Sequence, residues 1–157
     1  MDYKIIEQDE RYFCGIEHET ELEFGENSDI YKTWNKMFHE AYGVIKMKTN
    51  PHQMIGLNCY DFDFKETNKV TYYALAETID LIPQEEHLIT KKIPKGRYIC
   101  FTVSYFNIGE ERKRVYEYCK NNQIHIHMGF DYENFLNSVD YQKEDAVCEL
   151  CIKLEDD

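Results

Sequence analysis

The 157-residue chain is long enough for one domain with a core of its own, at 43% hydrophobic and 15% aromatic residues. Its formal net charge of −12 repels phosphate backbones and argues against direct binding of DNA or RNA. No apolar run reaches membrane length, and the acidic start MDYKIIEQDE lacks the form of a secretory signal, so a cytoplasmic protein with six reduced cysteines is expected.

Taken in chain order, RYFCGIEHE (11–19) has the pattern of a strand. Residues 26–45 contain a helix, because Ile30, Tyr31, Trp34, Met37, Phe38, Ala41 and Tyr42 recur at steps of three and four. Asn27 or Ser28 can cap it, Asp29 suits its first turn, and Gly43 can end it. Residues 53–64 and 69–80 form two strands joined by the polar KETN turn, a hairpin. The turn IPKG (93–96) leads into the strand RYICFTVSY (97–105). A second helix spans 109–123, acid-rich at its start and stopped at Asn121-Asn122. Residues 124–136 are extended, and DAVCELCIKLE (145–155) is the last strand.

The order is strand–helix–strand–strand, twice, and the opening strands RYFCGI and RYICFT look alike. The expected fold is therefore α+β: a duplicated strand–helix–strand–strand module whose antiparallel sheet has a pseudo-twofold axis. A single domain over 1–157 is expected, with half-repeats at roughly 3–80 and 88–155. The two helices would cover one sheet face, leaving a ligand groove between the halves on the opposite, concave face.

Signatures of known chemistry are sparse. There is no Gly-rich phosphate loop, GxSxG elbow or HExxH. CELC (148–151) lies in a strand, where residues three apart face opposite ways, so Cys148 and Cys151 do not readily share a metal. His125 and His127 share a strand face, but no third ligand is placed. No metal and no cofactor is expected.

What remains is an acid among aromatics, Glu133 in GFDYENFL. Base rates make such a glutamate a solvated side chain, and spacing alone makes Trp34 a core residue. Walled by rings, however, a carboxylate is a cation site, with each well-placed ring worth about 0.5–2 kcal/mol. A desolvated carboxylate with no partner should have a raised pKa, and an arriving cation would supply the missing charge. Trp34, Tyr60 and one of the adjacent Tyr72 and Tyr73 are the other candidates for the groove.

The succession IYKTWNKMF, MIGLNCYDFD, VTYYALAETID, IPKGRYICFTV, DYENF and CELCIKL resembles the GyrI-like, or AraC/BmrR-type effector-binding, superfamily. The likeness runs over roughly residues 3–154 and is strongest to the stand-alone branch that includes integron-associated effector-binding proteins. The resemblance implies a central ligand groove with an acid from a Glu-x-Tyr-like motif that meets cationic, aromatic drugs. Here the motif is Glu133-Asn134-Phe135, so the phenylalanine lacks the family's hydroxyl. Trp34 falls at the family's helix tryptophan and Tyr72 or Tyr73 in a pocket-lining strand, with Tyr60, Phe38 and Phe135 as further wall residues. The function so implied is binding of a small, cationic, aromatic or amphiphilic molecule, without a DNA-binding module of its own and without membrane contact. Two alternatives stand behind it. One is a protein partner, such as DNA gyrase, met through the acidic surface. The other, an enzyme, is the less favoured: hydrolysis of strained electrophilic rings, with Glu133 as base and Glu77 or Tyr73 as second group.

Overall fold

The computed structural model describes residues 1–18, 22–23, 30–60, 64–136 and 139–156. In chain order its elements are β1 (Tyr3–Gln8), β2 (Arg11–Glu17), the two-residue β3 (Leu22–Glu23), α1 (Ile30–Lys36), β4 (Met54–Tyr60), the short α2 (Phe64–Thr67) and β5 (Lys69–Thr78). The second half follows as β6 (Ile89–Ile93), β7 (Gly96–Ser104), α3 (Ile108–Asn121), β8 (Ile126–Phe135) and β9 (Val147–Leu154). Beyond Lys36 the first helix widens to a π-type turn over Met37–Ala41 and tightens to a 3₁₀ turn over Tyr42–Val44. Gly43 therefore lies inside the last turn instead of ending the helix. The caps expected at Asn27 and Ser28, Asp29 of the first turn, Glu19 of the first expected strand and residues 61–63 of the second lie outside the described residues.

The strands form one antiparallel sheet in the order β1-β7-β9-β8-β4-β5-β2-β6, with β3 pairing β5 at the side. Exchanging β1 with β6, β2 with β7, β4 with β8 and β5 with β9 turns this order into its own reverse. The duplication anticipated from the strand–helix–strand–strand pattern is thus present, with one element more per half. Each unit opens with an extra strand that pairs in the other half, β1 on β7 and β6 on β2. The apolar and polar letters of YKIIEQ and ITKKI do not alternate, although burial does along ITKKI; both strands are sheet edges, with less to bury than the central ones. Lys4 and Lys92 keep those edges wet.

Short links fix the curvature. Two residues, Asp9-Glu10, carry the chain from the β1 edge to β2 near the opposite edge, and Pro94-Lys95 do the same from β6 to β7. Such links span about 11 Å at most, so the sheet curls until its edges approach each other. The inside of the curl is filled by Phe13, Ile55, Leu57, Tyr73, Leu75, Tyr98, Tyr132 and their neighbours. Arg11 also enters it, paired with Glu77 at 2.8 and 3.1 Å. The concave face is therefore a closed core, which corrects the expectation that the groove would open there.

The helices lie on the outer face. Met37 and Ala41 pack on Cys14, Ile16, Ala74 and Ala76 of the first half. On the second half, α3 packs Ile108, Val115 and Cys119 against Ile99, Phe101, Leu150 and Ile152. Cys148 belongs to this outer core and Cys151 to the inner one, as strand alternation requires. Between the helices runs a seam over the central pair, β4 and β8, where the two halves meet. Among the described residues no helix is long and apolar enough to cross a membrane, and no group of three His, Cys, Asp or Glu could hold a metal ion.

Candidate functional site

The pleat decides what reaches the seam. Asp131, Glu133 and Phe135 alternate along the outer side of β8. Register sets Asn58 opposite Asp131, Gly56 opposite Glu133 and Met54 opposite Phe135. From above, Arg112 and Tyr116 project together because they are four residues apart on α3. Tyr72 lies beyond Asn58 on β5 and crosses β4 at Gly56, where a side chain would stand 2.2 Å from its hydroxyl. That hydroxyl accepts a hydrogen bond from Trp34 Nε1 at 2.8 Å.

In the middle of the seam is a buried charge cluster. Asp131 is 0% exposed, Glu133 4% and Arg112 7%. Arg112 Nη2 donates to Glu133 Oε2 at 2.8 Å and stands 3.4 Å from Asp131 Oδ1. Asn58 Nδ2 donates to both carboxylates, at 3.0 Å to Asp131 and at closer range to Glu133 Oε2. The hydroxyls of Tyr60 and Tyr116 both donate to Asp131 Oδ2, the latter at 2.6 Å. Asp131 is thus saturated with donors. Among the described residues Glu133 receives both of its bonds on Oε2, and none reaches Oε1.

Among the described residues the charge count is uneven: two carboxylates share one guanidinium. Burial raises the Glu133 pKa above the ordinary glutamate value; Arg112 opposes the rise and Asp131 adds to it. Burial alone would lower the Arg112 pKa, but Asp131 and Glu133 outweigh it and hold the guanidinium charged. Tyr60, Tyr72 and Tyr116 are pushed well above the usual tyrosine range, chiefly by burial. Tyr105 is pushed up to about 12 by burial and by the nearby Glu133 charge.

Beside the cluster, at the Phe135 end of the seam, is a cavity of about 420 Å³ lined by Tyr31, Trp34, Asn35, Phe38, Met54, Tyr105, Phe135, Leu136, Val139 and Tyr141. Its rings meet edge to face: Trp34 on Phe135 at 5.3 Å, Tyr105 on Phe135 at 5.7 Å and Tyr141 on Phe135 at 5.1 Å. Phe38 and Tyr31 stand exposed at the rim.

Of the seven residues singled out in the sequence, Trp34, Phe38 and Phe135 line this cavity. Tyr72 braces Trp34 from below. Glu133 is buried one layer down, two residues from Phe135, and its charge is felt by Tyr72 and Tyr105. Tyr60 sits toward the other end of the seam, on Asp131. Tyr73 faces the inner core, under the Lys91 ammonium at 4.3 Å, and is not part of the site. Glu77 is likewise held on the inner side by Arg11, away from Glu133.

The positive charge that an incoming cation was expected to bring to Glu133 is therefore partly present already, as Arg112. It escaped notice because it sits in the charged run GEERKRVY. Its signal was the helical phase it shares with the buried Ile108, Val115 and Cys119. Asp131 was available from strand alternation, two residues before Glu133.

The GyrI-like small molecule binding domain matches residues 1–155. The chain belongs to that family. Among solved structures of similar fold is SAV2435 bound to tetraphenylphosphonium, at 16% identity and a TM-score of 0.75, covering 99% of this chain and 94% of that one. A second is an integron cassette protein from Vibrio cholerae, at 18% identity and a TM-score of 0.66, covering 98% and 95%. A third is the EcmrR C-terminal domain, at 14% identity and a TM-score of 0.73, covering 99% and 98%. No curated protein sequence matches the chain at a significant level.

Proposed function

We propose that this GyrI-like domain binds hydrophobic, aromatic monocations in the Trp34–Phe135 cavity, with Glu133 as the counter-charge beneath it. The observation that carries the reading is the cluster of two buried carboxylates and one guanidinium beside a wall of rings. With both acids ionised the described residues of the cluster hold one net negative charge, and among them Glu133 Oε1 is the carboxylate oxygen without a hydrogen bond. A monocation above it would complete the balance, and each ring face would add about 0.5–2 kcal/mol. A neutral molecule of the same shape gains only the apolar term. SAV2435, similar in fold, is a protein bound to one such cation, tetraphenylphosphonium. The biological output is that of an effector-binding module, and its net charge of −12 keeps the domain itself off nucleic acid.

Trp34 is the one tryptophan in the chain and lines the cavity, so its emission reports occupancy directly. Titration with tetraphenylphosphonium should give a saturable change in Trp34 emission. Triphenylphosphine oxide, an uncharged relative, should bind clearly more weakly. Equal affinity for the two would remove the charge from the reading, and no response to either would remove the cavity.

A further inference from the structure

The seam has a second end. Past Asp131, toward the start of β8, a separate cavity of about 300 Å³ is lined by Tyr60, Phe64, Lys113, Tyr116, Glu117 and Met128. Among the described residues it shares no lining residue with the Trp34–Phe135 cavity. Met128 and Phe135 are seven residues apart on β8, about 20 Å along the strand. Between the two cavities, Arg112 reaches down to Asp131 and Glu133 and closes the seam.

We propose that this second chamber is an aromatic cage for a small quaternary or methylated ammonium group. Three ring residues, Tyr60, Phe64 and Tyr116, bound it, with Tyr60 and Phe64 at 4.8 Å between centroids. Met128 adds a polarisable thioether at the exposed rim. Both tyrosines give their hydroxyl protons to Asp131 Oδ2. A phenol that donates to a carboxylate carries more negative charge on its ring, which strengthens its hold on a cation at the ring face. The fully buried Asp131 thus acts on the chamber through the two rings, while the exposed Glu117 adds a carboxylate at the mouth. Lys113 is the opposing charge in the lining, drawn toward Glu110 at 3.7 Å. The ring-bounded space suits a compact headgroup. The wider cavity at the other end suits a bulky one.

The probe is tetramethylammonium chloride at constant ionic strength, followed by saturation-transfer NMR and calorimetry, with tert-butanol as the neutral compound of the same branched shape. Saturable binding of tetramethylammonium and none of tert-butanol is expected. Phe64→Ala should weaken it roughly fivefold, the loss of one ring at a cation site. Glu117→Gln should also weaken it and Lys113→Gln strengthen it, as the signs of the removed charges require. These three side chains make no hydrogen bond to the Asp131 cluster, so melting curves near wild type will show that the variants fold. Equal binding of the two probes, or tetramethylammonium affinity left unchanged by Phe64→Ala in a folded variant, would overturn the proposal. Both results are independent of whether tetraphenylphosphonium occupies the Trp34 cavity.

Discussion

Replacing Gly56 with alanine adds one methyl group where Tyr72 crosses β4. The new Cβ would stand 2.2 Å from the Tyr72 hydroxyl oxygen, 2.9 Å from Cζ and 3.0 Å from Cε1. Tyr72 is 1% exposed, so its rigid ring has no open space to swing into. Overpacking of this kind costs about 1–3 kcal/mol. Displacing the ring also breaks the Trp34–Tyr72 hydrogen bond, worth about 1 kcal/mol. Removing a glycine from the unfolded chain gives back about 0.4–1 kcal/mol. The net loss is about 1–3.5 kcal/mol, a fall in Tm of roughly 3–12 °C for a chain of this length. Circular dichroism gives the Tm, and Trp34 emission should shift as its indole N–H loses its partner. Adding Tyr72→Phe deletes the most crowded atom and should recover part of the loss. A Gly56→Ala protein that melts within about a degree of wild type would refute the packing argument.

Two further predictions concern the cluster. Arg112→Met leaves two buried carboxylates without a cation and should cost about 3–5 kcal/mol, read from urea midpoints. Adding Asp131→Asn should restore part of it; an Arg112→Met protein of wild-type stability would mean that the pairing contributes nothing. The second concerns pH. Glu133 faces Asp131, Arg112, Tyr72, Tyr105 and Cys148, and burial holds its folded pKa above the unfolded one. From the ordinary glutamate value up to the raised one, the folded chain binds more protons, so stability falls as pH rises. Glu133→Gln should flatten that part of the stability–pH curve, and an unchanged slope would assign the titration to another group. A cation that needs the ionised carboxylate should expel the proton, so its affinity should rise with pH across the same window.

The sequence carried the duplication in the paired openings RYFCGI and RYICFT, and period-two strands located β2, β4, β5, β7 and β9. It did not carry β1 and β6, because edge strands have little buried surface to impose an alternation. That omission mattered: the exchanged edges close the curl and its inside is filled, so the aromatic cavity lies on the helix-bearing face. Glu133 stood out because an acid inside GFDYENFL breaks an apolar run. Arg112 did not stand out, since a buried arginine among Glu110, Glu111, Lys113 and Arg114 looks like its exposed neighbours. Tyr72 and Tyr73 are adjacent and chemically identical, and only strand register tells which one touches Trp34. Tyr105 and Tyr141 reach the cavity from connecting segments, where no periodicity marks a side chain as inward.

The most direct test of the cation-site reading is calorimetric binding of tetraphenylphosphonium to wild type and Glu133→Gln, above the raised glutamate pKa. The variant keeps an acceptor for Asn58 and Arg112, and Arg112 keeps Asp131, so the fold should hold. The cluster charge changes from −1 to 0. The reading predicts roughly tenfold weaker binding or more, the equivalent of about 1.4 kcal/mol, with little change in Tm. Equal affinity in the two proteins would contradict it.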